Sequence, residues 1–168
     1  MNLIIYISVV LSAVSVSFTY LNIVIANSAT IHAIMETHEV EHGVIEFCPG
    51  NKFGEEHFVP PYSNGTSSYL NLIVVNDGPG VAKKIEWKIE KIGKDGVSVP
   101  PESNRLPYIG KGARVIVKGY LEVVWLAGKE NEFSYKVTIT FNPFLYGRKR
   151  RICQQFNAFG ELQKSNLR

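Results

Sequence analysis

The chain has 168 residues, 45% of them hydrophobic, two cysteines, and a formal charge of +3 from 18 Lys and Arg against 15 Asp and Glu. Setting aside its apolar leader leaves about 125 residues, which excludes two ordinary domains yet suffices to bury a core without a metal or several disulfides. The charge is segregated: residues 36–56 hold six acids and one base, and residues 142–168 hold six bases and one acid. Two readings follow, a basic tail for anionic partners or a domain whose first and last strands pair and neutralise each other.

Residues 1–35 contain no Lys, Arg, Asp or Glu, and residues 3–26 (LIIYISVVLSAVSVSFTYLNIVIA) are almost wholly apolar. A bilayer core about 30 Å thick needs roughly 20 such residues in a helix. Residues 1–35 are therefore expected to form a hydrophobic helix that meets membrane lipid through residues 3–26, making the protein single-pass. A signal peptide would carry a basic start and a shorter apolar core. Ala26-Asn27-Ser28 still offers a small-x-small cleavage site, so the expectation is a retained anchor with cleavage as the alternative. The first base after the span is Lys52, so positive charge sets the orientation weakly. An extracytoplasmic domain is preferred, with the Asn64-Gly65-Thr66 glycosylation sequon, Asn64 being the acceptor, leaning the same way.

Residues 27–39 (NSATIHAIMETHE) are predicted to extend the helix past the membrane, with Gly43 as its stop. Within and beyond them His38-Glu39-Val40-Glu41-His42 fits H-E-x-x-H, in which a helix turns His38 and His42 toward one Zn²⁺ and Glu39 activates the bound water. Glu41 inside the motif, Gly43 directly after it and the lack of a later third ligand count against a zinc hydrolase, and a solvated stalk is the simpler expectation. No cofactor is implied.

Residues 44–47 predict a short strand and residues 48–68 a loop broken by Pro60-Pro61 and Asn64-Gly65, part of it a meandering edge strand. Cys48 and Cys153 stand near the two ends of the soluble part and would form one disulfide if those ends are adjacent strands in an oxidising compartment. The alternative is two free, buried thiols. Residues 69–75 (YLNLIVV) predict the strongest strand, closed by Asn76-Asp77-Gly78-Pro79-Gly80. Ile85, Trp87 and Ile89 alternate with charged residues over 84–92, the period of a half-buried strand, and Gly93-Lys94-Asp95-Gly96 is a hairpin-like turn. Pro100-Pro101 through Pro107 is expected to be loop. Val115 and Val117 mark a strand over 114–123, Trp125 and Leu126 precede another turn, and Phe133, Tyr135, Val137, Ile139 and Phe141 share one face of the next strand. Residues 151–159 are the last strand expected, and residues 161–168 a flexible tail.

Arg148, Lys149, Arg150 and Arg151 form the densest charge cluster, flanked by Phe144, Tyr146 and Phe156. Such a cluster suits an anionic surface. A solvated hairpin turn is the simpler expectation, and no nucleic-acid partner is expected. Residues 76–80 lack the G-x-G-x-x-G spacing, which excludes a nucleotide loop of that kind. Trp87 and Trp125 are expected in the core.

Six or seven strands at regular spacing, with almost no helix after the leader, predict a mainly β protein: an antiparallel immunoglobulin-like β-sandwich over residues 36–160 behind one N-terminal transmembrane helix. The stretch LNLIVVNDGPGVAKKIEWKI, with Asn76, Gly78, Gly80 and Ala82 between two alternating strands, resembles the front of CARDB-type domains, adhesion-related immunoglobulin-like modules of prokaryotic surface proteins. Ile109-Gly110-Lys111-Gly112 before Val115 and Val117 resembles their next glycine-marked strand, and the likeness covers residues 69–141. It implies a fold and a non-enzymatic role in adhesion, assembly or scaffolding at the cell envelope, with other protein chains as partners. The apolar helix joined to a sandwich is also similar to archaeal pilins and archaellins, which implies a filament subunit as the alternative. Those precursors carry a short basic leader before the apolar helix, whereas this sequence starts straight into it, so the filament subunit stays the alternative expectation.

Overall fold

The computed structural model describes residues 3–41, 45–47, 56–58, 66–121, 132–143 and 148–167. Helix α1 (Leu3–Ala26) is followed by strands β1 (Ile31–Glu41), β2 (Ile45–Phe47), β3 (Glu56–Phe58), β4 (Thr66–Asn76), β5 (Ala82–Gly93), β6 (Glu102–Ile109), β7 (Arg114–Leu121), β8 (Phe133–Asn142), β9 (Arg150–Asn157) and β10 (Leu162–Leu167). The protein is mainly β, and among the described residues all strand pairings are antiparallel and the one long helix is N-terminal.

Strict alternation makes the core. In β8 Phe133, Tyr135, Val137, Ile139 and Phe141 are buried while the residues between them are half-exposed. The same period buries Ile85, Trp87 and Ile89 of β5, and Trp87 is core as expected. Leu70, Leu72 and Val74 of β4 meet these side chains in a single hydrophobic cluster. Each fully buried aliphatic or aromatic side chain there contributes on the order of 2 kcal/mol.

The strands form a three-stranded sheet, β1-β4-β7, and a five-stranded sheet, β10-β9-β8-β5-β6, with β2-β3 as a separate hairpin. Both larger sheets supply the one core, so they pack as two layers. The chain crosses between layers from β4 to β5, from β6 to β7 and from β7 to β8. This order fits an immunoglobulin-like sandwich, with β10 added at one edge.

Four expectations give way here. Residues 31–41 are strand rather than helix, because Ile31 and Ala33 bury against the core while β1 pairs with β4 along its whole length. Tertiary pairing overrides the helix propensity of Ala29, Ala33 and Met35, and the sandwich begins inside the segment assigned to the leader. Residues 102–109 are strand rather than loop: β6 lies at a sheet edge, where a proline such as Pro107 is tolerated. Residues 162–167 are not a tail but β10, paired with β9. Every residue of β10 is exposed, so it carries no alternation for a sequence pattern to detect. Nor do the first and last strands pair with each other, since β1 lies beside β4 and β10 beside β9.

The two layers are tied at that side by Gln154 of β9. Its side chain is buried, accepts a hydrogen bond from the Ala33 amide at 2.6 Å and donates one to the Ala33 carbonyl at 3.2 Å. Gln154 thus occupies the backbone groups on the open edge of β1. Gln154→Met keeps the volume and leaves both backbone groups unpaired, so it is expected to cost about 2–3 kcal/mol. Chemical denaturation of the detergent-solubilised chain measures this, and a loss under about 0.5 kcal/mol would show the bridge to be incidental.

Candidate functional site

The features that position this sandwich converge at the end where α1 enters it. Ser28 to Thr30 link the helix to β1, and the β4–β5 turn grips them. The Asp77 amide donates to the Thr30 carbonyl (2.9 Å), the Gly80 amide to the Ser28 carbonyl (3.1 Å), and the Ala29 amide to the Pro143 carbonyl (3.0 Å). Ala29 is completely buried.

Asn76 is the hub of this end, and it is fully buried. Its Oδ1 accepts from the amides of Thr30 (3.2 Å) and Gly78 (3.1 Å). Its Nδ2 donates to the carbonyls of Gly80 (2.7 Å), Ile109 (3.2 Å) and Gly110 (3.0 Å). Its backbone amide donates to the Ala113 carbonyl, and its carbonyl accepts from Gly112. One side chain therefore locks the helix link, its own turn and the β6–β7 turn together. Only an amide, with donor and acceptor on one carbon, satisfies both sets.

Gly78 and Gly80 are needed for a different reason. The link passes so close that a Cβ on Gly80 would lie 1.7 Å from the Asn27 carbonyl oxygen, and one on Gly78 would lie 2.3 Å from the Thr30 nitrogen. The spacing Asn76-x-Gly78-x-Gly80 is thus a clasp for the chain leaving the helix.

The helix is not buried by any of the described residues. Its segment Tyr6–Ala26 is long and apolar enough to cross a membrane, and none of it is buried by the sandwich. At about 1.5 Å per residue α1 is roughly 36 Å long, enough for a hydrocarbon core. Three of its hydroxyls are satisfied internally: Ser12, Ser17 and Thr19 donate to the carbonyls four residues back at 2.8–2.9 Å, as an apolar surrounding demands.

The same end carries the positive charge. Arg148, Lys149, Arg150 and Arg151 are exposed just before and within the start of β9, in the region joining the antiparallel pair β8 and β9. The fold brings to them three lysines that the sequence did not single out. Lys83 lies opposite Asn142, at the end of β8. Lys84 has φ +50, a backbone region that ordinary residues avoid. A register shift against β8 between Lys83 and Glu86 accounts for it, and both lysines face solvent although they are consecutive. Lys111 is exposed in the β6–β7 turn that Asn76 holds. The clue in the sequence is the break in alternation at Ala82-Lys83-Lys84-Ile85.

Most of the other surface charge is neutralised. On the outer face of the five-stranded sheet Glu86 pairs with Arg105 (3.2 Å) and Lys149 (3.8 Å). Glu90 pairs with Lys88 (2.5 Å) and Lys136 (3.6 Å). The hydrogen bond from Lys88 holds the Glu90 carboxyl below its ordinary 4.5, against the opposing effect of burial. Glu36 pairs with Arg114, rather than with any base of the C-terminal segment.

The remaining expected sites are scattered. His38 is half-buried and Glu39 exposed, both on β1. Neighbours on a strand point to opposite faces, so these two lack the helical placement that H-E-x-x-H requires, and His42 lies outside the described residues. Among the described residues no three His, Cys, Asp or Glu side chains gather as a metal site. Cys153 is a half-buried free thiol on β9, with the Thr138 hydroxyl 4.0 Å from its sulfur. Its expected partner Cys48 lies outside the described residues, as do Asn64 and Trp125. No protein family, curated protein or solved structure matches the chain.

Proposed function

We propose that this chain is a single-pass membrane protein that presents a β-sandwich at the cell envelope, outside the cytoplasm, for adhesion, assembly or scaffolding. The observation that carries the proposal is the bare helix: a 21-residue segment of mean hydropathy 2.0, none of it buried among the described residues. Exposed apolar surface on that scale requires lipid or other helices around it. The clasp at Asn76 supports a presenting role, because it leaves no slack between helix and sandwich. A non-enzymatic role is supported by three of the four buried polar side chains among the described residues, Asn76, Gln154 and Asn157, which are hydrogen-bonded in holding backbone or turns, while the Oδ1 of the fourth, Asn71, has no partner there.

The test is alkaline carbonate extraction of membranes from cells expressing the full chain. The chain is expected to stay in the pellet, and a Leu11→Asp, Val14→Asp double variant to leave it. Release of the unaltered chain, helix intact, would overturn the membrane reading. Assembly of the detergent-purified chain into sedimenting polymers would transfer the helix to a bundle and favour the filament subunit. Labelling of Cys153 by a membrane-impermeant thiol reagent in intact cells tests the side: labelling only after the membrane is opened would place the sandwich in the cytoplasm.

A further inference from the structure

The geometry points to a second membrane contact: the basic rim around the helix exit is a seat for anionic lipid head groups, which holds the sandwich end-on against the bilayer. This rests on the membrane reading above and adds the lipid chemistry and the residues that recognise it.

Three independent observations converge. First, position. Lys83, Lys111 and the 148–151 cluster lie in the turns and strand ends that surround the link from α1. Lys83 pairs with Asn142 at the end of β8, Arg150 with Phe141, and Lys111 is in the turn bonded to Asn76. The link is clasped, so a helix standing in a bilayer carries this rim to the head-group layer. Second, availability. Lys83, Lys84, Lys111, Arg148, Arg150 and Arg151 are exposed and form no ion pair among the described residues, whereas charges higher on the sheet are paired. Among the described residues of this end, the exposed acid Asp77 lies 3.1 Å from His32. Third, strain. Lys84 keeps a left-handed backbone that glycine would adopt freely, and the irregularity sends two consecutive lysines outward. Strain retained at a non-glycine residue marks a place where the side chain matters.

Among the described residues the opposite end is mixed: Glu39, Asp95, Glu132 and Glu161 lie at strand ends or turns away from the helix, with Lys94 and Lys164 among them. The unpaired positive charge is thus concentrated at the helix end, which it turns toward an anionic surface. Each base close to such a surface is worth roughly a fivefold gain in partitioning.

The experiment uses the full chain in bilayer discs of phosphatidylcholine, with and without phosphatidylglycerol, and reads amine acetylation lysine by lysine by mass spectrometry. At low salt, acetylation of Lys83, Lys84 and Lys111 is expected to slow about fivefold when phosphatidylglycerol is present, and to recover at high salt. Lys94, at the far end, is expected not to change. The variant Lys84→Gly removes one charge at a position where glycine is at ease, so folding is not threatened, and it is expected to weaken the protection of Lys111. Equal acetylation in both discs, with the chain fully inserted, would overturn the lipid seat and leave the membrane reading standing. Failure of the chain to enter either disc would overturn both. Protection of the same lysines by an added oligonucleotide in phosphatidylcholine discs, without any effect of phosphatidylglycerol, would overturn the lipid seat in favour of a nucleic-acid surface.

Discussion

Replacing Asn76 with alanine is expected to lower the stability of the sandwich by about 3–5 kcal/mol, the largest loss expected for a single polar side chain among the described residues. The side chain makes five hydrogen bonds to backbone at full burial. Alanine removes the amide and leaves two backbone donors and three carbonyls to find other partners. A net hydrogen bond is worth about 1 kcal/mol, and a buried group left unsatisfied costs about 1–3 kcal/mol. Some of the five will recruit water at this end of the domain, which keeps the total below their simple sum. Aspartate at 76 tests the same idea from the other side. It retains both acceptor bonds, loses all three donor bonds and buries a charge, so it is expected to be no better than alanine. Thermal unfolding of the detergent-solubilised chain should show a fall of about 10 °C or more. A loss below about 1 kcal/mol would mean that the two turns and the link hold themselves without the amide.

Gly80→Ala is expected to act differently, by opening the clasp rather than by unfolding the sandwich. An added methyl at Gly80 would sit 1.7 Å from the Asn27 carbonyl oxygen and 2.2 Å from its carbon. Those are backbone atoms of a link fixed at both ends, so no side-chain rotation relieves the clash. The link must move off the turn, breaking the bond from the Gly80 amide to Ser28 and straining that from Asp77 to Thr30. The core strands do not touch this contact. Amide exchange at Ala29 and Gly80 is therefore expected to quicken by about a hundredfold, a local cost of roughly 3 kcal/mol, while amides in the centre of β8 keep their protection. Unchanged exchange at Ala29 would show that the link is not gripped by the turn. Comparable exposure of β8 would show that the grip belongs to the global fold rather than to a separate clasp.

The two predictions share one motif, and its legibility in the sequence differs by residue. The turn at 76–80 was readable, because glycine and proline after an apolar run can hardly be anything else. Its purpose was not. Nothing local in Asn76-Asp77-Gly78-Pro79-Gly80 says that residues 27–30, far away along the chain, will lie across it. The same distance effect explains the helix predicted over 27–39. Ala29, Ala33 and Met35 favour helix locally, and only the length of apolar β4 beside them makes strand the better outcome. The basic rim divides likewise. The 148–151 cluster is visible as a run, whereas Lys83, Lys84 and Lys111 are isolated in sequence and are gathered only by strand register.

By itself the sequence determined the apolar helix, the mainly β character and the inward faces of β5 and β8. These follow from composition and period, which depend on neighbours a few residues apart. Tertiary structure alone decided where the helix ends, that β6 and β10 are strands, which layer each strand joins, and which charges stand together around the helix exit. Such features rest on backbone pairing and on contacts between residues distant in sequence, whose free energy exists only once the two layers have closed on one core.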